Sequence, residues 1–172
     1  METKEKNIVF PGREFLTWLW FKSEERNGSV MIPGLGDVEI MFVRRIVLES
    51  GEGEYSETVV CSGLHADLSE GKAALRTGKK VREARVKIGV GSSEWEFTFK
   101  ADGFFFQSMT LPANPDESDD EADKEARVLD RIGCMEKAAD TMGRLFSLFS
   151  QLRDSETWTA TEVPHMEAWM SR

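Results

Sequence analysis

Val81-Arg82-Glu83-Ala84-Arg85-Val86-Lys87-Ile88-Gly89-Val90-Gly91-Ser92-Ser93-Glu94-Trp95-Glu96-Phe97-Thr98-Phe99 is the stretch that decides how this chain folds. Apolar and polar residues alternate on both sides of Gly91-Ser92, the period-two signature of half-buried strands. Glycine supplies the positive φ that a tight hairpin turn needs at its first position. Folding about that turn pairs Ile88 with Trp95, Val86 with Phe97 and Ala84 with Phe99 on one face, and sets Lys87 opposite Glu96 on the other. A one-residue slip would set Trp95 against Lys87, so the register is specified. An antiparallel sheet with one dry face follows, and that face needs a cover.

The cover is legible upstream, in Gly12-Arg13-Glu14-Phe15-Leu16-Thr17-Trp18-Leu19-Trp20-Phe21-Lys22-Ser23-Glu24. Six of the seven residues 15–21 are large and apolar. A helix apolar on nearly every side belongs in the centre of a core or an interface. It is predicted over residues 13–26, with Asn27-Gly28 as its stop. A short strand over 29–32 meets the turn Pro33-Gly34-Leu35-Gly36. The run 38–48 alternates in its first half and is apolar on both faces in its second, apart from Arg44 and Arg45, which predicts a central strand covered on each side. Strands at 55–61 and 104–111, a short helix at 67–76 capped by Gly78, and a turn at Ala101-Asp102-Gly103 complete the domain. The class is α+β: five to six antiparallel strands packed by an N-terminal aromatic helix, with a long C-terminal helical segment.

Composition shifts after residue 112. Residues 113–123 form an acidic linker holding Asp116, Glu117, Asp119, Asp120, Glu121 and Asp123. Residues 124–172 form a helical tail. Its Val128, Ile132, Met135, Ala139, Met142, Phe146, Phe149 and Leu152 recur at helical spacing as one apolar stripe. That stripe covers the sheet domain 1–112 or forms an interface, with Met135, Met142, Phe146 and Phe149 as the interface candidates. Gly133 and Gly143 weaken it as an autonomous helix. Pro164 separates a last helix carrying Met166, Trp169 and Met170.

The chain of 172 residues has a net charge of −9, distributed unevenly. Residues 1–110 carry −2 and residues 111–172 carry −7, whereas residues 66–90 carry +4. Acidity of this size opposes nucleic-acid binding, which is driven by Lys and Arg; the basic middle restores the question. Lys72, Arg76, Lys79, Lys80, Arg82 and Arg85 are the candidate phosphate contacts. The competing readings are a solvated mixed-charge face, with the helix-end cations placed by the helix dipole, and docking of an acidic protein or of the chain's own tail.

No chemistry-bearing constellation is evident. Cys61 and His65 supply two ligands where a metal needs three or four, so no metal or cofactor is expected. Gly89-Val90-Gly91 precedes a strand, not a helix, and the hairpin explains it. No nucleophile motif is present. Cys61 and Cys134 lie far apart and are expected as free thiols. No apolar run reaches the ~20 residues that span a bilayer, and the charged first six residues lead into no signal-like core. No membrane partner and a cytoplasmic location are the expectations.

Three blocks, Gly12–Glu24, Leu75-Arg76-Thr77-Gly78-Lys79-Lys80-Val81 and Phe97-Thr98-Phe99-Lys100-Ala101-Asp102-Gly103, give the chain its family likeness. Over roughly residues 8–112 it resembles the C-terminal half of bacterial recombination-associated proteins of the RdgC type. Members are commonly near twice this length. The resemblance implies a non-catalytic protein that binds double-stranded DNA with little sequence preference, as a dimer closed into a ring, and limits recombinase access. Lys79 and Lys80 are candidates from local charge and not from the resemblance.

Three functions are therefore carried forward. The first is a non-enzymatic DNA-associated protein that modulates recombination, dimeric through its C-terminal helix, with the acidic linker competing for the basic surface. The second is an acidic protein-interaction or scaffold domain that does not bind DNA. The third is a small-molecule binder using Phe15, Trp18, Trp20 and Phe21 in a cleft beside helix 13–26.

Overall fold

The computed structural model describes residues 10–25, 28–51, 55–63, 68–112 and 121–172. Its elements are α1 (Gly12–Glu24), β1 (Ser29–Ile32), β2 (Gly36–Ser50), β3 (Glu57–Ser62), α2 (Leu68–Arg76), β4 (Lys80–Val90), β5 (Ser93–Lys100), β6 (Phe105–Thr110), α3 (Glu121–Arg153) and α4 (Val163–Met170). The six strands make one antiparallel sheet in the order β1-β2-β4-β5-β6, and β3 pairs with the far end of β2 on the same side as β1. The β4–β5 hairpin has the register the sequence requires: Ile88 faces Trp95, Val86 faces Phe97 and Ala84 faces Phe99.

α1 runs between the sheet and the other helices, which explains its nearly continuous apolar run. On the sheet side, Phe15 stands 6.3 Å from Phe99 and Trp20 stands 6.2 Å from Phe42, ring centre to ring centre. On the other side, Phe149 of α3 lies 5.5 Å from both Phe15 and Trp18, and Trp169 of α4 lies 5.2 Å from Trp20. Phe15, Trp18, Trp20 and Phe21 are thus fully buried core side chains. The one polar residue in the run, Thr17, bonds the Arg13 carbonyl and accepts from the Val81 N–H at 3.0 Å, next to an irregularity in the β2–β4 ladder. The turn Ala101-Asp102-Gly103 presses on the start of α1, where a Cβ on Gly12 would stand 2.1 Å from the Ala101 carbonyl oxygen. Only glycine permits that approach.

The second half of β2 is dry on both faces, since the consecutive residues Ile46, Val47 and Leu48 are all at most 1% exposed. Just before it the register against β4 shifts between Phe42 and Ile46, looping out two extra residues, and Arg44 takes φ 61° there. That bulge turns Arg44 and Arg45 out to solvent. Two expectations are corrected. Pro164 does not separate the last helix. It follows a π turn over Trp158–Glu162 at the start of α4, and such a turn accommodates a residue that lacks an N–H. Finally, α3 does not bury one continuous stripe. Ala138, Met142, Leu145 and Phe149 are buried in the core, but Val128, Ile132 and Met135 are exposed. Glu121–Asp123, read as the end of the linker, are already helical, and residues 113–120 lie outside the described residues.

Candidate nucleic-acid interface

All helices sit on the face of the sheet that carries Ala84, Val86, Ile88, Trp95, Phe97 and Phe99. The opposite face carries the alternate residues of β4 and β5, and among the described residues no helix covers it.

The six candidate cations do not form one patch. Lys72 is on α2 and turns inward: its Nζ pairs with Glu24 Oε2 at 2.8 Å and lies 5.1 Å from the Trp169 ring centre. The same carboxylate accepts from Trp20 Nε1 at 3.0 Å and Trp169 Nε1 at 2.6 Å. Lys72 therefore belongs to a knot that ties α1, α2 and α4. Arg76 donates to the Met170 carbonyl at 3.2 Å, at the end of α4. α2 closes with Gly78 N–H on the Leu75 carbonyl and Lys79 N–H on the Ala74 carbonyl, with Gly78 at φ 89°. That is a Schellman closure, and it aims Lys79 away from its own helix. Lys79 Nζ meets Glu57 at 2.8 Å, and this hydrogen bond, with the lysine's charge, holds the Glu57 carboxyl below its ordinary range.

Lys80 opens β4 and is exposed. With Arg13, Glu14, Asp102 and Arg153 it borders a cavity of about 450 Å³ at the start of α1. Arg13 is bound there by Asp102 at 2.5 and 2.7 Å and by Glu49 at 2.9 Å. The Arg13 hydrogen bond leads the lowering of the Asp102 carboxyl. Arg82 pairs with the other oxygen of Glu49 at 3.0 Å.

Arg85 lies on the helix-free face. It donates to Glu96 at 2.8 Å and to the Ser108 carbonyl at 2.7 Å, and its hydrogen bond is the main cause that depresses the Glu96 carboxyl. Lys87 stands opposite Glu96 in register, but its ammonium pairs with Glu94 at 2.8 Å. Five of the six candidates are thus held by acceptors, and Lys80 has no carboxylate partner among the described residues.

Sequence reading missed Arg44 and Arg45. The β2 bulge turns both out to solvent. Arg44 is 72% exposed and reaches Glu96 only at 3.9 Å, and Arg45 has no carboxylate partner among the described residues. Two consecutive arginines inside an apolar strand run were the available signal, because a strand cannot bury both of its faces around them.

Of the interface candidates, Met142 and Phe149 are fully buried in the chain's own core, and Phe146 packs against Phe10, Phe15 and Phe104. Met135 alone is exposed. His65 lies outside the described residues; among those described, no group of three His, Cys, Asp or Glu side chains converges. Cys61 and Cys134 are separate thiols, and among the described residues no helix is long and apolar enough to cross a membrane. No protein-family model, curated protein or solved structure matches the chain.

Proposed function

We propose that this chain is a non-enzymatic, DNA-associated module of the RdgC kind, contacting duplex phosphates through the helix-free face of its sheet without reading sequence. One observation carries this reading beyond the resemblance: Arg44 and Arg45 project together from the β2 bulge onto that face, beside Arg85 and Lys87. The neighbouring ion pairs do not forbid phosphate contact. The exposed pair Lys87–Glu94 is worth roughly 0–1 kcal/mol, so a phosphate displaces that carboxylate at little cost, whereas Arg85 and Glu96, with side chains only 17% and 21% exposed, hold each other more firmly. The contact is to backbone and not to base edges, because a gently twisted sheet face carrying long, mobile cations positions phosphates without entering a groove. The test is binding of a short fluorescent duplex at about 50 and 200 mM salt, where phosphate contacts lose affinity steeply. The Arg44→Glu/Arg45→Glu variant should bind at least tenfold more weakly, and Lys79→Glu/Lys80→Glu should matter less. No binding at either salt sinks the reading.

A second reading, a protein-interaction module that leaves DNA alone, is favoured by the exposed apolar side chains on the first half of α3. It predicts no duplex binding and association that is nearly indifferent to salt.

A further inference from the structure

Between α4, the end of α2 and the start of β4 lies a cavity of about 290 Å³. Its walls are apolar: Leu75, Trp158 and Met166 are buried, and Val163 and Met170 are half-buried. The π turn over Trp158–Glu162 builds one wall, with Trp158 at its start and Val163 directly after it. Turns of this kind are rare and concentrate at functional sites. An apolar hollow with a few polar groups at its edge is the usual form of a small-molecule site. At about 30 Å³ for each water-sized group, this one holds about ten heavy atoms.

The charges at the cavity name the ligand. Two of the four are already matched: Glu14 accepts from Arg153 at 2.9 Å, and Lys79 donates to Glu57 at 2.8 Å. Glu162, inside the π turn, is held by Lys22 at 2.6 Å. That leaves Lys80, from the β4 side, and Glu167, from α4. Both are exposed, neither has an ion pair among the described residues, and they do not pair with each other. We propose that this cavity binds the zwitterion of an apolar α-amino acid of the size of leucine or methionine. Its side chain lies among Leu75, Trp158 and Met166, its carboxylate on Lys80 and its ammonium on Glu167. A plain carboxylate would leave Glu167 unmatched beside the ligand, and an amine would leave Lys80 so. A residue inside a peptide offers neither charge and a terminal residue only one of them, so the ligand is the free amino acid. Charge-assisted hydrogen bonds at both ends fix its orientation.

The ligand is small and both charged partners are wet, so binding is weak and reversible. The inference is independent of the DNA reading, and its test contains no nucleic acid. Titration of the whole chain with L-leucine, followed by NMR, should saturate with a Kd of about 0.1–1 mM, and the Trp158 indole N–H should be among the signals that move. 4-Methylpentanoate, which lacks the ammonium, and 3-methylbutylamine, which lacks the carboxylate, should each bind about tenfold more weakly or worse. Lys80→Gln should weaken leucine about tenfold and leave the amine unchanged, whereas Glu167→Gln should weaken leucine as much and leave 4-methylpentanoate unchanged. Both side chains are exposed and unpaired, so the ligand-free variants should melt with the unaltered chain. No saturation up to about 20 mM leucine overturns the proposal. So does 4-methylpentanoate bound as tightly as leucine, which would make the cavity a plain apolar or anion pocket. Variants that bind leucine like the unaltered chain overturn it too. A variant that melts several degrees lower without ligand also overturns it, because that charge would then have its partner within the chain.

Discussion

The two faces of the β4–β5 hairpin are built from alternate residues of the same nineteen-residue stretch, yet they obey different physics. On one face Val86, Ile88, Phe97 and Phe99 are fully excluded from water beneath α1, and position is fixed by packing. On the other, Arg85, Lys87, Glu94 and Glu96 stay partly wet, and position is set by exchangeable ion pairs. The difference teaches that a basic stretch in a sequence is not a basic surface in a protein. Arg85 and Lys87 on the wet face each have a carboxylate within 2.8 Å, and the loosely held positive charge beside them stands where the alternation fails, at the bulge that exposes Arg44 and Arg45.

The largest effect should come from breaking the dry face. Phe97→Ala removes a fully buried ring that lies 5.0 Å from Phe106; about 3–5 kcal/mol of stability should go, read from urea midpoints. Lys87→Ala, one strand away on the wet face, should change the midpoint by no more than about 0.5 kcal/mol. Similar losses at both sites would mean that the wet face is covered in solution.

Charge on the dry side sharpens the same contrast. Glu24 holds Lys72 and two indole N–H groups at once, with the Lys72 and Glu24 side chains only 15% and 22% exposed. Glu94, with 60% of its side chain exposed, holds Lys87 alone. Glu24→Ala should cost about 1–3 kcal/mol because it strands buried donors, whereas Glu94→Ala should be close to neutral. If the two variants unfold at the same denaturant concentration, the knot at Glu24 is not a structural element.

How far the sequence foretold this depended on whether the deciding interaction was local. The hairpin register was readable because periodicity and a turn glycine act over a few residues, and α1 because an all-round apolar helix has few places to go. Gly78 announced the end of α2 for the same reason. What escaped was set by distant partners. Lys72 and Arg76 read as free cations because Glu24 lies 48 residues from Lys72, and the Met170 carbonyl 94 residues from Arg76. The bulge at Arg44 needed the β4 register, and the seven-residue rhythm of α3 could not say which turns the domain would bury. Arg13 likewise found its partner far along the chain, in Asp102, 89 residues away.

The smallest expected effect is in the pH dependence of the wet face, where the sign is the informative part. Glu96 is held below its ordinary value of 4.5, first by the Arg85 hydrogen bond, against a burial effect that raises it, and then by the charges of Arg85, Arg44 and Lys87. A carboxyl that ionises more readily folded than unfolded adds stability in full above its unfolded value and loses it as pH falls through its folded value. The native chain should therefore lose part of its stability as pH drops below about 4.5, with Asp102, depressed by Arg13, adding to the loss below its ordinary 3.8. Glu96→Gln removes the first contribution. Its unfolding free energy should lie below that of the native chain at neutral pH, and the two curves should converge in acid. Curves that run parallel from neutral to acid pH would mean that Glu96 and Arg85 exchange their partnership for water freely. The wet face would then be looser than its ion pairs imply, and Arg85 as available to a phosphate as Arg44.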